Sequence, residues 1–119
     1  MPQPIVYLEL GATNVVRAAI FYMRVFDWQF SDPNQTTYST FSSGDSGIGG
    51  GIYRTDTIKT GGGMVPYIYV EDIEASCARV VEEGGRIVVA KSDIPGTGWF
   101  AHFKDLDGNL LGLFTPKSM

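Results

Sequence analysis

The sequence predicts an α+β fold in which one βαβββ module occurs twice. Strand-like and helix-like segments follow each other in the same order in both halves of the 119-residue chain. In each half a helix-capping residue comes seven positions after a residue of the first strand: Asn14 follows Tyr7, and Asp72 follows Val65. The repeated order and the equal spacing together predict two copies of the same module.

The two halves also end alike. Gly51-Ile52-Tyr53 near the end of the first half resembles Gly112-Leu113-Phe114 near the end of the second. The offset between these segments is nearly the same as the offset between Tyr7 and Val65. A near-constant offset between matching positions indicates a duplication.

The first half opens with an apolar, strand-forming segment, and a helix follows. Asn14 is a favourable N-cap, and the apolar residues after it recur at helical spacing, so one face of this helix is expected to be buried. Trp28, at the junction between helix and strand, is expected in the core. The predicted elements of this half are strands at 5–10, 28–30, 37–42 and 46–53, with a helix at 14–26 and a turn at 32–34.

The second half repeats this order. Asp72 caps a helix whose apolar stripe includes Cys77, and Gly84-Gly85 ends that helix, as glycine commonly does. The predicted strands of this half lie at 64–70, 86–90, 99–104 and 109–114. We expect a single domain over residues 1–119, with module one at about 4–53, a polar and glycine-rich linker at 54–63, and module two at about 64–115.

Composition argues against several classes of partner. The net charge is −4 and only nine residues are Lys or Arg, whereas binding to nucleic acid or to a membrane surface needs clustered positive charge. No apolar segment reaches the roughly 20 residues of a membrane-spanning helix, and the pattern of a signal peptide is absent at the N-terminus. The single cysteine excludes an internal disulfide. These features favour a cytoplasmic protein.

Several segments resemble the vicinal oxygen chelate superfamily, which includes glyoxalase I, bleomycin-resistance proteins, fosfomycin-resistance enzymes and extradiol dioxygenases. The stretch 93–101, followed by 105–114 with its Asp107-Gly108-Asn109 turn, closely resembles the C-terminal end of that superfamily. The resemblance covers essentially the whole chain, and the segments that carry it are 6–10, 17–22, 25–28, 70–75, 83–85, 93–101 and 105–114. It implies two βαβββ modules that form an open curved-sheet barrel and bind ligands on the concave side.

The resemblance also implies where a metal would bind. Metal-dependent members place their ligands on the first and last strands of each module. The corresponding positions here are Tyr7, Gly51, Val65 and Gly112. Glycine and valine have no donor side chain, and a neutral tyrosine is a poor ligand for a divalent metal. We therefore expect neither a metal nor another cofactor.

Two residues are candidates for catalysis. Glu9 shares a strand face with Tyr7 because side chains alternate along a strand, and a carboxylate in an apolar cavity could act as an acid or base or hold a cation. The alternatives are a Glu9 paired with an Arg or Tyr, or one that lies in water. His102, the single histidine, is suited to proton transfer. The sequence leaves its strand face open, and a partly exposed strand histidine is the alternative.

The ligand-binding prediction rests on the abundance of aromatic residues in predicted strands. A cavity walled by Tyr7, Tyr67 and Trp99 would suit a flat or cationic small molecule, although packing within the core accounts for many of these aromatics. The predicted ligand-binding residues are Tyr7, Glu9, Gly51, Tyr53, Val65, Tyr67, Trp99 and Gly112.

The predicted function is metal-independent binding that sequesters an aromatic or cationic compound in a concave cleft, as bleomycin-resistance proteins do. The alternative is a lyase or isomerase of the glyoxalase type that acts on a small oxo-compound, with Glu9 or His102 in proton transfer. Because family members often dimerise, we expect a homodimer whose other partner is a small-molecule ligand.

Overall fold

The computed structural model describes residues 1–58 and 63–117. The chain divides into two compact units, residues 1–58 and 59–119. Each unit contains a strand, a helix and three further strands, in that order. The prediction of an α+β fold built from two βαβββ modules is therefore confirmed. In the described residues no helix combines the length and the apolar character needed to cross a membrane.

The first unit is a four-stranded sheet with one helix. Its strands run in the order β1-β4-β3-β2, with β1 parallel to β4 and the remaining pairs antiparallel. The elements are β1 (Tyr7–Ala12), α1 (Val15–Phe26), β2 (Gln29–Phe30), β3 (Tyr38–Ser42) and β4 (Gly49–Arg54). The first strand starts two residues later than predicted, because its pairing with β4 begins at Tyr7 and Gly49. Ile5 and Val6 precede the sheet and are exposed.

Helix α1 covers one face of this sheet. It begins at the predicted cap, where Asn14 Oδ1 accepts a hydrogen bond of 3.0 Å from the backbone N–H of Arg17. Its buried side meets an aromatic stack in which Trp28 lies between Tyr22 and Phe41, with ring centroids 4.7 and 4.5 Å apart. Trp28 is therefore a core residue, as predicted.

The second unit repeats this plan, with strand order β5-β8-β7-β6 and β5 parallel to β8. Its elements are β5 (Tyr67–Tyr69), α2 (Ile73–Glu82), β6 (Arg86–Ile94), β7 (Gly98–Lys104) and β8 (Leu110–Pro116). All four strands differ in their bounds from the prediction, β5 and β6 the most. The fifth strand is shorter, because Pro66 has no N–H to donate and pairing with β8 begins only at Tyr67. The sixth is longer, because its hairpin with β7 continues to Ile94.

The core of the second unit lies between α2 and its sheet. Ile73 and Val80 of the helix are fully buried, and so are the side chains that β7 and β8 turn toward it, which are Ala101, Phe103, Leu111 and Leu113. The helix ends as predicted, because Gly84 adopts φ 101°, a conformation that favours glycine.

The predicted linker at 54–63 falls partly within the sheet, because Arg54 is the last residue of β4 and pairs with Ala12. Residues 59–62 of that linker lie outside the described residues.

Candidate functional site

Each sheet has one face against its helix and one face free of it, which we call the open face. In the first unit, Phe41 and Ile52 lie on the helix side and are buried. Because side chains alternate, Tyr38 and Gly51 on the same strands belong to the open face. The strand register adds Tyr7, Glu9 and Tyr53 to this face.

A chain of hydrogen bonds joins three side chains on this open face. The hydroxyl oxygens of Tyr7 and Tyr38 are 2.5 Å apart. The Tyr38 hydroxyl also donates to Glu9 Oε2 over 2.8 Å. The prediction that Tyr7 and Glu9 share a face is therefore confirmed. Glu9 is exposed and paired with a tyrosine, which is one of the alternatives that the sequence left open.

This arrangement makes Tyr38 a weaker acid. The hydrogen bond with Tyr7, then partial burial, then the bond and charge of Glu9 all raise the pKa of the Tyr38 phenol well above its ordinary value. The phenol therefore keeps its proton under all ordinary conditions.

The Tyr38 ring also occupies the space above Gly51. A Cβ atom added to Gly51 would lie 2.3 Å from both Cζ and Oη of Tyr38. A side chain at position 51 and the observed tyrosine ring are therefore mutually exclusive. Tyr53 lies further along the same face and is 39% exposed, and its hydroxyl end covers Gly11.

The open face of the second unit carries an aromatic and imidazole cluster. Because Ala101 and Phe103 are buried against the helix, His102 between them lies on the open face. This settles the orientation that the sequence left open. The Nε2 atom of His102 is 2.8 Å from the Tyr67 hydroxyl, and the Phe100 ring lies 5.3 Å from the imidazole.

Tyr67 covers Gly112 as Tyr38 covers Gly51. A Cβ atom on Gly112 would lie 2.4 Å from Cδ2 and Cε2 of Tyr67. The strand register places Tyr67 beside Gly112, and Gly112 beside His102. The open face of each unit therefore has a tyrosine ring over a last-strand glycine.

Two of the predicted ligand-binding residues lie elsewhere. Trp99 is two residues from the buried Ala101 and therefore shares its face of the sheet, which is the face opposite Tyr67. There its ring lies beneath two ammonium groups, with Lys91 Nζ 4.9 Å and Lys117 Nζ 4.7 Å from its centroid. Val65 precedes β5 and belongs to no strand. The structure therefore does not bring Trp99 to Tyr67 as the sequence predicted.

The four residues that the resemblance predicts at the family's metal positions do not fit a metal ion. Gly51 and Gly112 offer no donor atom, and a tyrosine ring fills the space that a ligand side chain would need at either position. Val65 has an aliphatic side chain, and the Tyr7 hydroxyl is engaged with Tyr38. Among the residues that the structure describes, no three His, Cys, Asp or Glu side chains come together as a metal site.

Sequence reasoning missed Tyr38 and Phe100 as site residues. Both were visible as aromatics in predicted strands, but their place beside Glu9 and His102 depends on which strands are neighbours. A glycine within a strand is the usable signal, because it indicates close approach of another group.

A family model confirms what this geometry suggests. The model of the Glyoxalase/Bleomycin resistance protein/Dioxygenase superfamily matches residues 5–113. The chain belongs to this superfamily. The vicinal oxygen chelate resemblance predicted from the sequence is thereby confirmed.

Two relatives are 30% identical to the chain over most of its length. The chain is 30% identical to a glyoxylase-like domain-containing protein of Didymella fabae, over 91% of this chain and 90% of that protein. It is also 30% identical to the anthracycline biosynthesis protein DnrV of Streptomyces peucetius, over 86% of this chain. The match spans 43% of DnrV, less than half of that protein's length.

A solved structure shows the same fold. The fosfomycin resistance protein FosX of Listeria monocytogenes superposes with a TM-score of 0.79, covering 99% of this chain and 97% of that chain. The two are 13% identical, so the comparison concerns the fold alone.

Proposed function

We propose that this superfamily member binds a small aromatic or cationic molecule on the open face of a unit, without a metal ion and without chemical change to the molecule. The observation that carries the proposal is the pair of tyrosine rings over Gly51 and Gly112. The family resemblance implies that metal-dependent members have metal-ligating side chains at the equivalent positions. Here the same space holds aromatic surface, which suits contact with a ligand rather than coordination of an ion.

Each open face has its own residues that could contact a ligand. They are Tyr7, Glu9 and Tyr53 in the first unit, and Tyr67 and His102 in the second. They combine exposed aromatic area with a few polar atoms, the usual composition of small-molecule sites. The relation to an anthracycline biosynthesis protein supports a ligand with an extended aromatic ring system.

Metal analysis combined with ligand recovery tests the proposal. Protein purified without chelator should contain far less than one divalent ion per chain by elemental analysis. A library of aromatic amines and polycyclic aromatics should then yield compounds that bind in one-to-one ratio and are recovered unchanged by mass spectrometry. A stoichiometric metal ion that a chelator removes together with binding would contradict the proposal.

The second candidate function is a lyase or isomerase of the glyoxalase type. The observation that favours it is the hydrogen bond between His102 and Tyr67, because an imidazole beside a phenol can exchange a proton with a bound ligand. Turnover of a 2-oxoaldehyde that is lost in either Glu9→Gln or His102→Asn would favour this function. Unchanged substrate after long incubation would exclude it.

The assembly and location of the protein belong to the same proposal. Homodimerisation is supported by the family and by apolar side chains that are exposed in this chain just before β1, Ile5 at 79% and Val6 at 68%. The single cysteine supports action in the cytoplasm. Light scattering during gel filtration measures the assembly directly.

A further inference from the structure

In the cluster of Tyr7, Tyr38 and Glu9, both tyrosine hydroxyl protons are donated to other members of the cluster. An ionised carboxylate can only accept hydrogen bonds, so the single hydroxyl proton of Tyr38 is directed at Glu9. Tyr38 therefore cannot donate to Tyr7, and the 2.5 Å contact between the two hydroxyls must use the proton of Tyr7. The chain of hydrogen bonds runs in one direction, from Tyr7 through Tyr38 to Glu9.

What remains for a ligand is a set of acceptors. The Tyr7 oxygen keeps a lone pair, and the second carboxylate oxygen of Glu9 has no hydrogen-bond partner among the residues that the structure describes. Neither phenol has a proton left to donate. A ligand group that donates hydrogen bonds is accommodated here, whereas a carboxylate or phosphate would meet lone pairs and a negative charge.

The charge of Glu9 also has no ion-pair partner among residues 1–58 and 63–117. Ion pairs within the described residues include Arg54 with Asp56, Lys91 with Glu74, and Lys117 with Asp93. Glu9 takes part in none of them, although its side chain is fixed by the bond from Tyr38. The net charge of the chain is −4, which adds to the attraction for a cation.

We propose that Tyr7, Tyr38 and Glu9 form a recognition site for a protonated amine. The proposal rests on the small-molecule binding proposed above and assigns the charged group of that ligand to the first unit. The ammonium group donates to the free carboxylate oxygen of Glu9 and to the Tyr7 hydroxyl. Tyr38 is a positioning residue that orients both acceptors, and its own ring stays over Gly51.

Three probes of similar size separate charge from aromatic contact. Benzylammonium, benzyl alcohol and benzoate are titrated into the full-length protein at neutral pH, and the amide shifts in NMR spectra report binding. We expect benzylammonium to bind with the highest affinity, benzyl alcohol with a lower affinity and benzoate with the lowest. Because Glu9 is exposed, Glu9→Gln should weaken benzylammonium binding by about three- to tenfold and leave benzyl alcohol nearly unchanged.

Two further variants make the test specific. Glu82→Gln, on the exposed end of α2, removes the same charge far along the chain and should leave all three affinities unchanged. Tyr38→Phe keeps a ring over Gly51 but releases Glu9 and the Tyr7 proton. Tyr38→Phe should therefore weaken the binding of benzylammonium. It should strengthen the binding of benzoate, because the Tyr7 hydroxyl becomes available as a hydrogen-bond donor. The circular dichroism spectrum checks that each variant is folded.

The outcomes distinguish this inference from the proposed function. Equal binding of benzylammonium and benzyl alcohol, with no effect of Glu9→Gln, overturns the amine site and leaves aromatic binding standing. Equal weakening of benzylammonium binding by Glu9→Gln and Glu82→Gln also overturns the amine site, because the net charge of the protein would then explain the attraction. Absence of binding by all three probes at millimolar concentration overturns both.

Discussion

The ring of Tyr67 lies so close to Gly112 that a Cβ atom on the glycine would be 2.4 Å from the ring. Tyr38 has the same relation to Gly51, but the two tyrosines come from different strands of their modules. Tyr67 lies on the first strand of its unit, and Tyr38 on the third. The two halves therefore have the same steric arrangement with tyrosines at non-equivalent positions of the module.

Adding a methyl group under the ring should destabilise the second unit more than the first. In Gly112→Ala the new Cβ also meets Cγ of Tyr67 at 3.0 Å, near the root of the ring. In Gly51→Ala the atoms that it meets, Cζ, Oη and Cε1, lie at the far end of the Tyr38 ring, which can swing away. We expect Gly112→Ala to lower the free energy of unfolding by about 1–3 kcal/mol and Gly51→Ala by less.

Denaturant titration of the two variants measures this difference. Tyr67→Ala supplies the control, because Gly112→Ala should cost little in a protein that already lacks the ring. An equal cost of Gly112→Ala with and without Tyr67 would show that the ring is not the obstacle.

The stabilising effect of Tyr38 should disappear in alkali. Because the pKa of the Tyr38 phenol is raised in the folded state, the folded protein holds this proton more tightly than the unfolded chain does. The contribution is therefore fully present below the unfolded pKa of about 10 and is lost as pH rises above it. The difference in unfolding free energy between the wild type and Tyr38→Phe should shrink between pH 9 and 11, as urea titrations can show. A difference that stays constant over this range would contradict the hydrogen-bonded phenol.

Replacing Asp27 should stabilise the end of α1. Asp27 caps this helix with φ 59°, the left-handed conformation that costs an L residue more than glycine. Its carboxylate also lies at the negative end of the helix dipole. Asp27→Gly should raise the free energy of unfolding by about 0.5–1 kcal/mol. Asp27→Asn removes the charge but keeps a side chain in the left-handed conformation, so it separates the effect of the charge from that of the backbone. A lower free energy of unfolding for Asp27→Gly would refute this account of the cap.

Cys77 should react slowly with thiol reagents. Burial, and then the nearby charge of Glu74, raises the pKa of the Cys77 thiol, which lowers the fraction of reactive thiolate at neutral pH. Its reaction with a chromogenic disulfide should be roughly threefold or more slower than that of a free small thiol. Glu74→Gln should speed the reaction slightly and Glu82→Gln should not; the opposite ranking would remove Glu74 as a cause.

Periodicity and capping were sufficient to predict the elements of this fold. Asn14 and Asp72 start their helices, and Gly84 ends the second one, because these effects act within a few residues of the chain. The ends of the strands were predicted less accurately. Tyr67 begins its strand only where a partner on β8 becomes available, and such pairing depends on residues far away in the sequence.

The site was predictable only in part, for the same reason. The family resemblance predicted Tyr7 at a metal position, and alternation along the strand then put Glu9 on the same face. The role of Tyr38 required the register between β3 and β4. Trp99 was misplaced because an aromatic in a strand has two faces to choose from, and the sequence did not say which one faced the helix.

The two tryptophans give each half of the molecule its own optical signal. Trp28 is 7% exposed and stacked between two rings, so its emission should be blue-shifted and resistant to dissolved quenchers. Trp99 lies beneath two lysine ammonium groups, which should draw iodide toward it. Iodide would therefore quench the fluorescence of Trp99 selectively, and the remaining emission of Trp28 would report on the first half. Thermal unfolding recorded with and without iodide would then show whether the duplicated halves unfold together or one after the other.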